Sequence, residues 1–257
     1  MSVKDEISAL RAEITKHNRL YYENDAPIIS DFEYDALLRK LEILESEHPE
    51  FYSPSSSTQR VGGVAKSGFG KVTHEVPLES LVDVFSLDEF VASVKKMETS
   101  LSEKCEFCVE PKIDGLSMSL EYYNGVFTRG STRGDGTVGE DVTENLRTIQ
   151  NLPKTLRDAP EKLIVRGEVY MSKEVFEKLN EERLSNDEPL LANPRNAAAG
   201  SMRQLDPSIA KSRKLDFIAF NVQLVKGASF LTHFDSINAL NKYGFFTVSS
   251  FLCKSIE

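Results

Sequence analysis

The feature that most constrains this chain is a break in its middle-left third. From Ser53 to Gly70 the sequence reads SPSSSTQRVGGVAKSGFG, a run of Ser, Gly and Pro in which neither helical nor strand periodicity survives. Such a run joins elements rather than forming one, so the residues on either side must find their cores separately. On the N-terminal side Ile7, Leu10, Ile14 and Tyr21 recur at helical spacing, and after Ala26-Pro27 the pattern resumes with Tyr34, Leu37, Leu38, Leu41 and Leu44. Ser30 or Asp31 can cap this second helix, with Glu33 or Tyr34 in its first turn. The expectation is a helical hairpin over residues 1–69, joined to a second domain over residues 70–257.

The second part mixes periods. A helix is expected over about 87–100, strands around 105–112 and 116–133, and a helix near 140–147. A strand follows at 163–171, a helix near 173–184 and a strand at 215–224. Leu116, Met118, Leu120 and Tyr122 alternate with polar residues up to Asn124-Gly125, a dipeptide that suits a tight hairpin, and Val126-Phe127-Thr128 begins the return strand. The sheet is therefore expected to be antiparallel and the fold class α+β.

Composition narrows the partners. Of the 257 residues, 40% are hydrophobic and 28% charged, with 31 Lys and Arg against 40 Asp and Glu, a net charge of −9. That excess of acids argues against this chain gripping a phosphate backbone by itself, because sequence-independent nucleic-acid affinity comes from Lys and Arg displacing counterions. No apolar run reaches the roughly 18 residues a membrane span needs, and the charged, periodic N-terminus lacks the apolar block of a signal peptide. A cytoplasmic protein without membrane contact is expected. The three cysteines form no disulfide framework. Cys105 and Cys108 make one CxxC without a second, on a stretch whose strand-like alternation sets Cys105, Phe107 and Val109 against Cys108, Glu110 and Lys112. They read as structural thiols rather than a zinc or dithiol site. The four histidines make no H-x-x-x-H pair, so no metal-ligand set is assigned from the sequence.

Two phosphate-binding patterns are set aside. Gly134, Gly136 and Gly139 satisfy G-x-G-x-x-G, but the dinucleotide fingerprint needs a buried parallel strand before it, and FTRGSTRGDG is the polar return arm of a hairpin. VGGVAKSGFGK fails the P-loop spacing.

What remains is Glu110-Pro111-Lys112-Ile113-Asp114-Gly115. A lysine amine at a strand end can attack phosphorus to form a phosphoramidate if its surroundings favour the neutral amine. Alone, Lys-x-Asp-Gly reads equally as an exposed lysine before an Asp-Gly turn. It is accompanied, however, by TRGDGTVGEDVTENLRTI, VRGEVYM and ANPRNAAAGSMRQLDP, and on the N-terminal side by Tyr21-Tyr22, Asp25-Ala26-Pro27 and Asp31-Phe32-Glu33-Tyr34-Asp35. Taken in order, these segments closely resemble the bacterial NAD-dependent DNA ligases, from about residue 5 to the end of the chain.

The resemblance implies a helical domain that recognises the nicotinamide mononucleotide (NMN) half of NAD, followed by a nucleotidyltransferase domain with an ATP-grasp-like antiparallel sheet. It implies that Lys112 attacks the α-phosphate of NAD, expels NMN, and carries AMP to the 5′-phosphate of nicked double-stranded DNA in replication and repair, with Mg2+ or Mn2+ assisting. Glu110 would read the adenine, Glu168 the ribose hydroxyls, and Arg133 would lie near the nucleotide. Asp114 would orient or tune the nucleophile and the metal, and Ser80-Leu81 would line the adenosine pocket. Tyr21, Tyr22, Asp31, Tyr34 and Asp35 match the positions that hold NMN, by stacking and by accepting from ribose hydroxyls.

Each residue also has a plainer reading. Glu110 could be an exposed strand residue, Glu168 a partner of Arg166, and Tyr21 and Tyr34 core residues of the hairpin. Arg195 and Arg203, which resemble family positions near nucleotide and DNA, could cap the Asn193–Ala199 segment or pair with Asp206. Glu79 replaces an apolar family residue beside Ser80-Leu81. The family's later Asp-Gly-Val-Val-x-Lys strand and a further lysine have no counterpart here, so a monomeric, C-terminally truncated fragment with little nick sealing of its own is expected. A non-catalytic NAD-binding protein, and an ATP- or GTP-using nucleotidyltransferase such as an RNA ligase or capping enzyme, are the alternatives.

Overall fold

A computed structural model describes residues 2–23, 27–51, 53, 56–58, 68–79, 83–102 and 104–256. Helix α1, Val3–Asn18, starts at a capping box in which Ser2 Oγ accepts from the Asp5 N–H and the Asp5 carboxylate accepts from the Ser2 N–H. A π-helical turn, Arg19–Glu23, closes it. Helix α2, Asp31–Glu47, opens with a second capping box made by Ser30 and Glu33, the pair that the sequence pattern points to. Ile7, Leu10, Ile14 and Leu41 are buried between the two helices, with Tyr34, Leu37, Leu38 and Leu44 packed around them. Arg11 lays Nε and Nη2 on Glu45 Oε1 at 2.9 and 2.6 Å, and Ser56 Oγ and Thr58 Oγ1 donate to the same carboxylate, each at 2.6 Å. The start of the Ser/Gly-rich run is thereby tied to both helices.

The remaining described residues build around a four-stranded antiparallel sheet of order β4-β3-β6-β7. Its strands are β3, Leu116–Tyr123, β4, Val126–Thr132, β6, Lys162–Tyr170, and β7, Asp216–Lys226. Four short strands pair outside it: β1, Lys71–Thr73, with β5, Val138–Glu140, and β2, Phe107–Val109, with β8, Phe251–Cys253. Helices α3, Leu87–Leu101, α4, Thr143–Arg147, α5, Lys173–Ser185, α6, Pro194–Met202, α7, Pro207–Ser212, and α8, His233–Tyr243, complete this part. The Asn124-Gly125 turn has both residues at positive φ, 46° and 77°, which is what a tight two-residue hairpin matching the twist of its strands requires.

One face of the sheet carries the main core. Met118, Leu120 and Tyr122 of β3, Val165 and Val169 of β6, and Phe217 and Ala219 of β7 are buried against Leu146, Ala198, Met202 and Leu240. The triple alanine of α6 is buried at all three positions, so small side chains let this helix lie close on the sheet. The expected strand at 105–112 is shorter, and the expected helix near 140–147 begins only at Thr143, because Val138–Glu140 pairs with β1 instead. The G-x-G-x-x-G segment is the turn between β4 and β5. Asp135 Oδ1 accepts from the Thr137 and Val138 N–H groups at 2.9 and 2.7 Å, and a Cβ on Gly134 (φ 58°) would stand 1.8 Å from the Val138 carbonyl oxygen. Close backbone approach within a hairpin accounts for that glycine. Among the described residues no helix is long and apolar enough to cross a membrane.

Candidate functional site

Lys112 is exposed on the extended stretch that leads from β2 into β3. What fixes this stretch is the glycine three residues on. A Cβ on Gly115 would meet the Val169 carbonyl oxygen at 2.3 Å and Glu168 Cγ at 2.9 Å, so only glycine lets the backbone lie against β6. From the other side Arg195, in the first turn of α6, donates from Nε to the Gly115 carbonyl at 3.0 Å and lies 3.4 Å from Asp114 Oδ1. The helix held down by three alanines thus clamps the lysine-bearing segment to the sheet. Neither Arg195 nor Arg203 pairs with Asp206, whose carboxylate instead caps α7. Arg203 Nε lies 3.5 Å from the buried carboxylate of Glu140.

Beside Lys112 the face of the sheet opposite the core is strongly polar. Glu168 stands across from Ser117 in the β3–β6 ladder. Burial pushes its carboxyl up to about 7, against the opposing pull of Lys112, Arg166 and Arg133. Arg166 donates from Nε to Ser117 Oγ at 3.2 Å and from Nη1 to the Glu79 carbonyl at 2.7 Å, so it bridges the sheet to the segment just before Ser80. Glu79 itself is exposed and Leu78 buried, so local packing rests on Leu78. Four cations, Lys112, Arg133, Arg166 and Arg195, and two carboxylates, Asp114 and Glu168, therefore share one surface of an otherwise acidic chain. That surface suits an anion, and its two carboxylates suit a cation shared with phosphate oxygens.

Phe220, which sequence reasoning did not single out, belongs to the same surface. The β6–β7 register slips between Arg166 and Gly167, which pair with Asn221 and Ala219 and leave Phe220 unpaired. Such a bulge re-aims a side chain, and the Phe220 ring lies 5.6 Å from the Arg166 guanidinium. It offers a half-buried aromatic face beside Arg166. The only signal in the sequence was an aromatic residue one step out of phase with Phe217 and Ala219.

Glu110 is not an exposed strand residue: its side chain is 18% accessible. Three groups converge on Oε1, namely Ser250 Oγ at 2.7 Å, His233 Nε2 at 3.1 Å and Cys108 Sγ at 3.4 Å. Among the described residues Oε2 accepts nothing. One oxygen is thus anchored and the other left to receive a donor. Burial, reinforced by Glu110, holds the Cys108 thiol above its ordinary range. His233 and Ser250 lie 123 and 140 residues from Glu110 in the chain, a distance no motif spans.

The helical hairpin reaches this surface where the Arg195 guanidinium stacks on the Tyr21 ring at 4.7 Å. It also meets α3, where Arg39 of α2 bonds Glu89 at 3.1 Å with its guanidinium 5.9 Å from the Phe85 ring. Tyr34 donates to Asn18 Oδ1 at 2.7 Å and packs on the hairpin core, and Asp35 is half-buried beside it. The side chains of Tyr22 and Asp31, and Ser80 and Leu81 altogether, lie outside the described residues.

Comparison with known proteins gives the family. Residues 1–62 match the family model of the DNA ligase-like N-terminal NAD+-binding domain, and residues 66–257 that of the NAD-dependent DNA ligase adenylation domain. The chain is 51% identical to a DNA ligase of Acetivibrio thermocellus over all of its own length and 39% of that protein. It is 46% identical to one of Clostridioides difficile, covering 38% of it, and 52% identical to one of Caldicellulosiruptor saccharolyticus over 95% of the chain and 36% of that protein. The chain thus spans under two fifths of the length of these curated relatives. Two family models in the family's order, together covering nearly every residue, place this chain in the NAD-dependent DNA ligase family.

Proposed function

We propose that this chain performs the first chemical step of NAD-dependent DNA ligation, in which Lys112 becomes covalently adenylylated. The observation that carries the reading is the exposed lysine set beside a desolvated carboxylate, Glu168, and the guanidinium groups of Arg133, Arg166 and Arg195. Phosphoryl transfer needs little covalent help from a protein beyond a nucleophile, its alignment and positive charge around the phosphorus.

In this reading the neutral Lys112 Nζ attacks the α-phosphorus of NAD. A P–N bond forms, the P–O bond to the NMN phosphate breaks, and NMN leaves with the electron pair while the amine loses its proton. Residues 70–257 supply this chemistry and residues 1–69 recognise the NMN half. Glu110 selects the base: its free Oε2 accepts from an exocyclic amine, which adenine has at position 6 and guanine replaces with an acceptor oxygen. Ser250 and His233 keep that oxygen turned toward the base. Phe220 stacks on the purine, and Ser80 and Leu81 contribute to the adenosine pocket as the family resemblance implies. Glu168 accepts from the ribose hydroxyls, and Arg133 lies against the phosphates. Arg195 holds the Asp114-Gly115 turn so that Lys112 stays in line. Tyr21, Tyr22, Asp31, Tyr34 and Asp35 engage the nicotinamide ring and its ribose.

Two carboxylates are fewer than a self-contained cage, which fits a magnesium or manganese ion held by Asp114, Glu168 and substrate phosphates. When bound, such an ion neutralises charge developing on the phosphate oxygens. In the whole protein the AMP then passes to the 5′-phosphate of nicked double-stranded DNA, and the 3′-hydroxyl displaces it to seal the strand.

The test is intact-mass spectrometry after incubation with NAD and magnesium, beside an ATP arm. A gain of one AMP from NAD, none from ATP, and none in Lys112→Ala is expected. Loading from ATP alone, or loading that survives Lys112→Ala, overturns the reading.

A further inference from the structure

The groups around Glu110 Oε1 have a second property that adenine recognition does not use. Cys108 Sγ, Glu110 Oε1 and His233 Nε2 come from strand β2, from the segment after it and from the first residue of α8, and their ligand atoms all lie within 4.8 Å of one another. A thiolate, a carboxylate and an imidazole are the three side-chain ligands of tetrahedral zinc. The spacing fits as well. With Zn–S near 2.3 Å and Zn–O and Zn–N near 2.0 Å, tetrahedral angles put sulfur about 3.5 Å from oxygen and oxygen about 3.3 Å from nitrogen. The corresponding separations here are 3.4 and 3.1 Å. Sulfur and nitrogen, both bonded to the same carboxylate oxygen, lie within 4.8 Å of each other, so the three ligand atoms are gathered by hydrogen bonds at a spacing that a small inward shift brings to tetrahedral coordination.

We propose that Cys108, Glu110 and His233 form a binding site for a zinc-class divalent cation, with its fourth position open to water, and that occupancy of this site weakens nucleotide binding. The Cys108 thiol gives up its proton on coordination, because the thiolate is the ligand. His233 is 39% accessible, which provides an entry path, and the other two ligands are largely enclosed. Cys253 does not belong to the set: Cys108 pairs with Leu252, so Cys253 points to the opposite face of the β2–β8 ribbon. The site was illegible in the sequence because its CxxC is misleading. The relevant neighbour of Cys108 is not Cys105 but Glu110, two residues on along the strand direction, and a histidine more than a hundred residues away.

The consequence for nucleotide binding rests on the function proposed above. A dication on Oε1 draws electron density from the carboxylate and weakens Oε2 as an acceptor for the adenine amine, so metal and nucleotide oppose each other through one residue.

Cobalt(II) titration of the chain tests the site without any activity. One equivalent is expected to give the intense visible bands of tetrahedral cobalt and a near-ultraviolet thiolate charge-transfer band. The latter should vanish in Cys108→Ser and persist in Cys105→Ser and Cys253→Ser. His233→Ala, at a position 39% accessible, should weaken cobalt binding by at least the about tenfold that loss of an outer-shell partner of a ligand costs. Absence of these bands in the unaltered chain, or a thiolate band that survives Cys108→Ser, overturns the site. In a second measurement, one equivalent of Zn2+ should raise the NAD concentration for half-maximal AMP loading by roughly tenfold, an ordinary coupling between sites. Cys108→Ser should abolish that rise. Loading indifferent to zinc, while the cobalt spectra obey the variants, refutes the coupling and leaves the site. Absence of loading with and without metal refutes the ligase reading and the coupling with it, and the cobalt spectra still decide the site.

Discussion

The helical hairpin and the sheet part solve the same problem with different means. Among the described residues, four buried apolar side chains make the hairpin core, Ile7, Leu10, Ile14 and Leu41, whereas twenty-one make the core on the sheet. The hairpin compensates with local devices: two capping boxes, and one buried carboxylate gathering Arg11, Ser56 and Thr58. Apolar burial is non-directional and grows with area, whereas caps and ion pairs depend on geometry and protonation. The sheet is therefore expected to be lost by cavities and the hairpin by charge. This division matches their proposed work, since the nucleophile needs a fixed platform while a recognition element over the departing half of the substrate needs only to hold and release.

The largest effect expected is from Phe217→Ala. Phe217 is 1% exposed, and its ring fills the space that the missing side chain of Gly167 leaves: a Cβ there would lie 2.1 Å from Phe217 Cζ. Truncation leaves a cavity that β6 cannot close, at a cost of about 3–5 kcal/mol. Amide exchange should show β3, β6 and β7 losing protection while α1 and α2 keep theirs. Equal losses in both parts would mean that they unfold as one unit, and the comparison would fail.

Next in size is a pair of opposite responses to pH. Glu45 is desolvated, but bonds from Ser56, Thr58 and Arg11 outweigh this and hold its carboxyl below the usual range. Its stabilisation is present above about pH 4.3, the ordinary glutamate value, and is lost as pH falls through the lowered value. Glu168 is the reverse. Burial raises it to about 7, so the folded state binds a proton that the unfolded state has lost, and stability declines as pH rises from about 4.3 toward 7. Acid should thus loosen α1 and α2, and approach to neutrality should loosen β6. Glu45→Gln should flatten the first response at a cost of about 1–3 kcal/mol, and Glu168→Gln the second. Amide exchange across the pH range, read separately for α1 and β6, checks both. Responses of the same sign would remove the distinction.

How much of this was legible in the sequence follows the same division. Whatever was local could be read: the helical period of Ile7 to Ile14, the Ser30–Glu33 cap, and the alternation that ends at Asn124-Gly125. The reading of FTRGSTRGDG as the return arm of an antiparallel hairpin matches β4 and the turn after it. What could not be read was contact order. Nothing near Glu110 announces Ser250 or His233, nothing near Gly115 announces Arg195, and nothing near Phe220 announces that β7 pairs with β6 and sets its ring beside Arg166. Helix α8 and strand β8 were not expected at all, and β5 interrupted an expected helix because pairing with β1 satisfied its backbone. Pairings between distant segments are decided by the whole core, and a local pattern carries no record of them.

The smallest effect sharpens the comparison at its seam. Arg39 of α2 meets Glu89 of α3 at 3.1 Å and lies 5.9 Å from the Phe85 ring, which gives the hairpin a charged and an aromatic contact with the rest of the chain. Both charged side chains are about two fifths exposed, at 42% and 40%, so water screens them well. Exposed pairs of this kind contribute under about 1 kcal/mol, and salt weakens them further because the Debye length at physiological ionic strength is only about 8 Å. A double-mutant cycle with Arg39→Ala and Glu89→Ala, read in the protection of α2 amides, should therefore give a coupling energy below about 1 kcal/mol that shrinks at high salt. A contact that weak lets the hairpin lift away from α3 at little cost, as a recognition element must when one half of its ligand has departed. A coupling well above that value, insensitive to salt, would mean that the hairpin is locked to the sheet part, and release of the departing half would then need a different route.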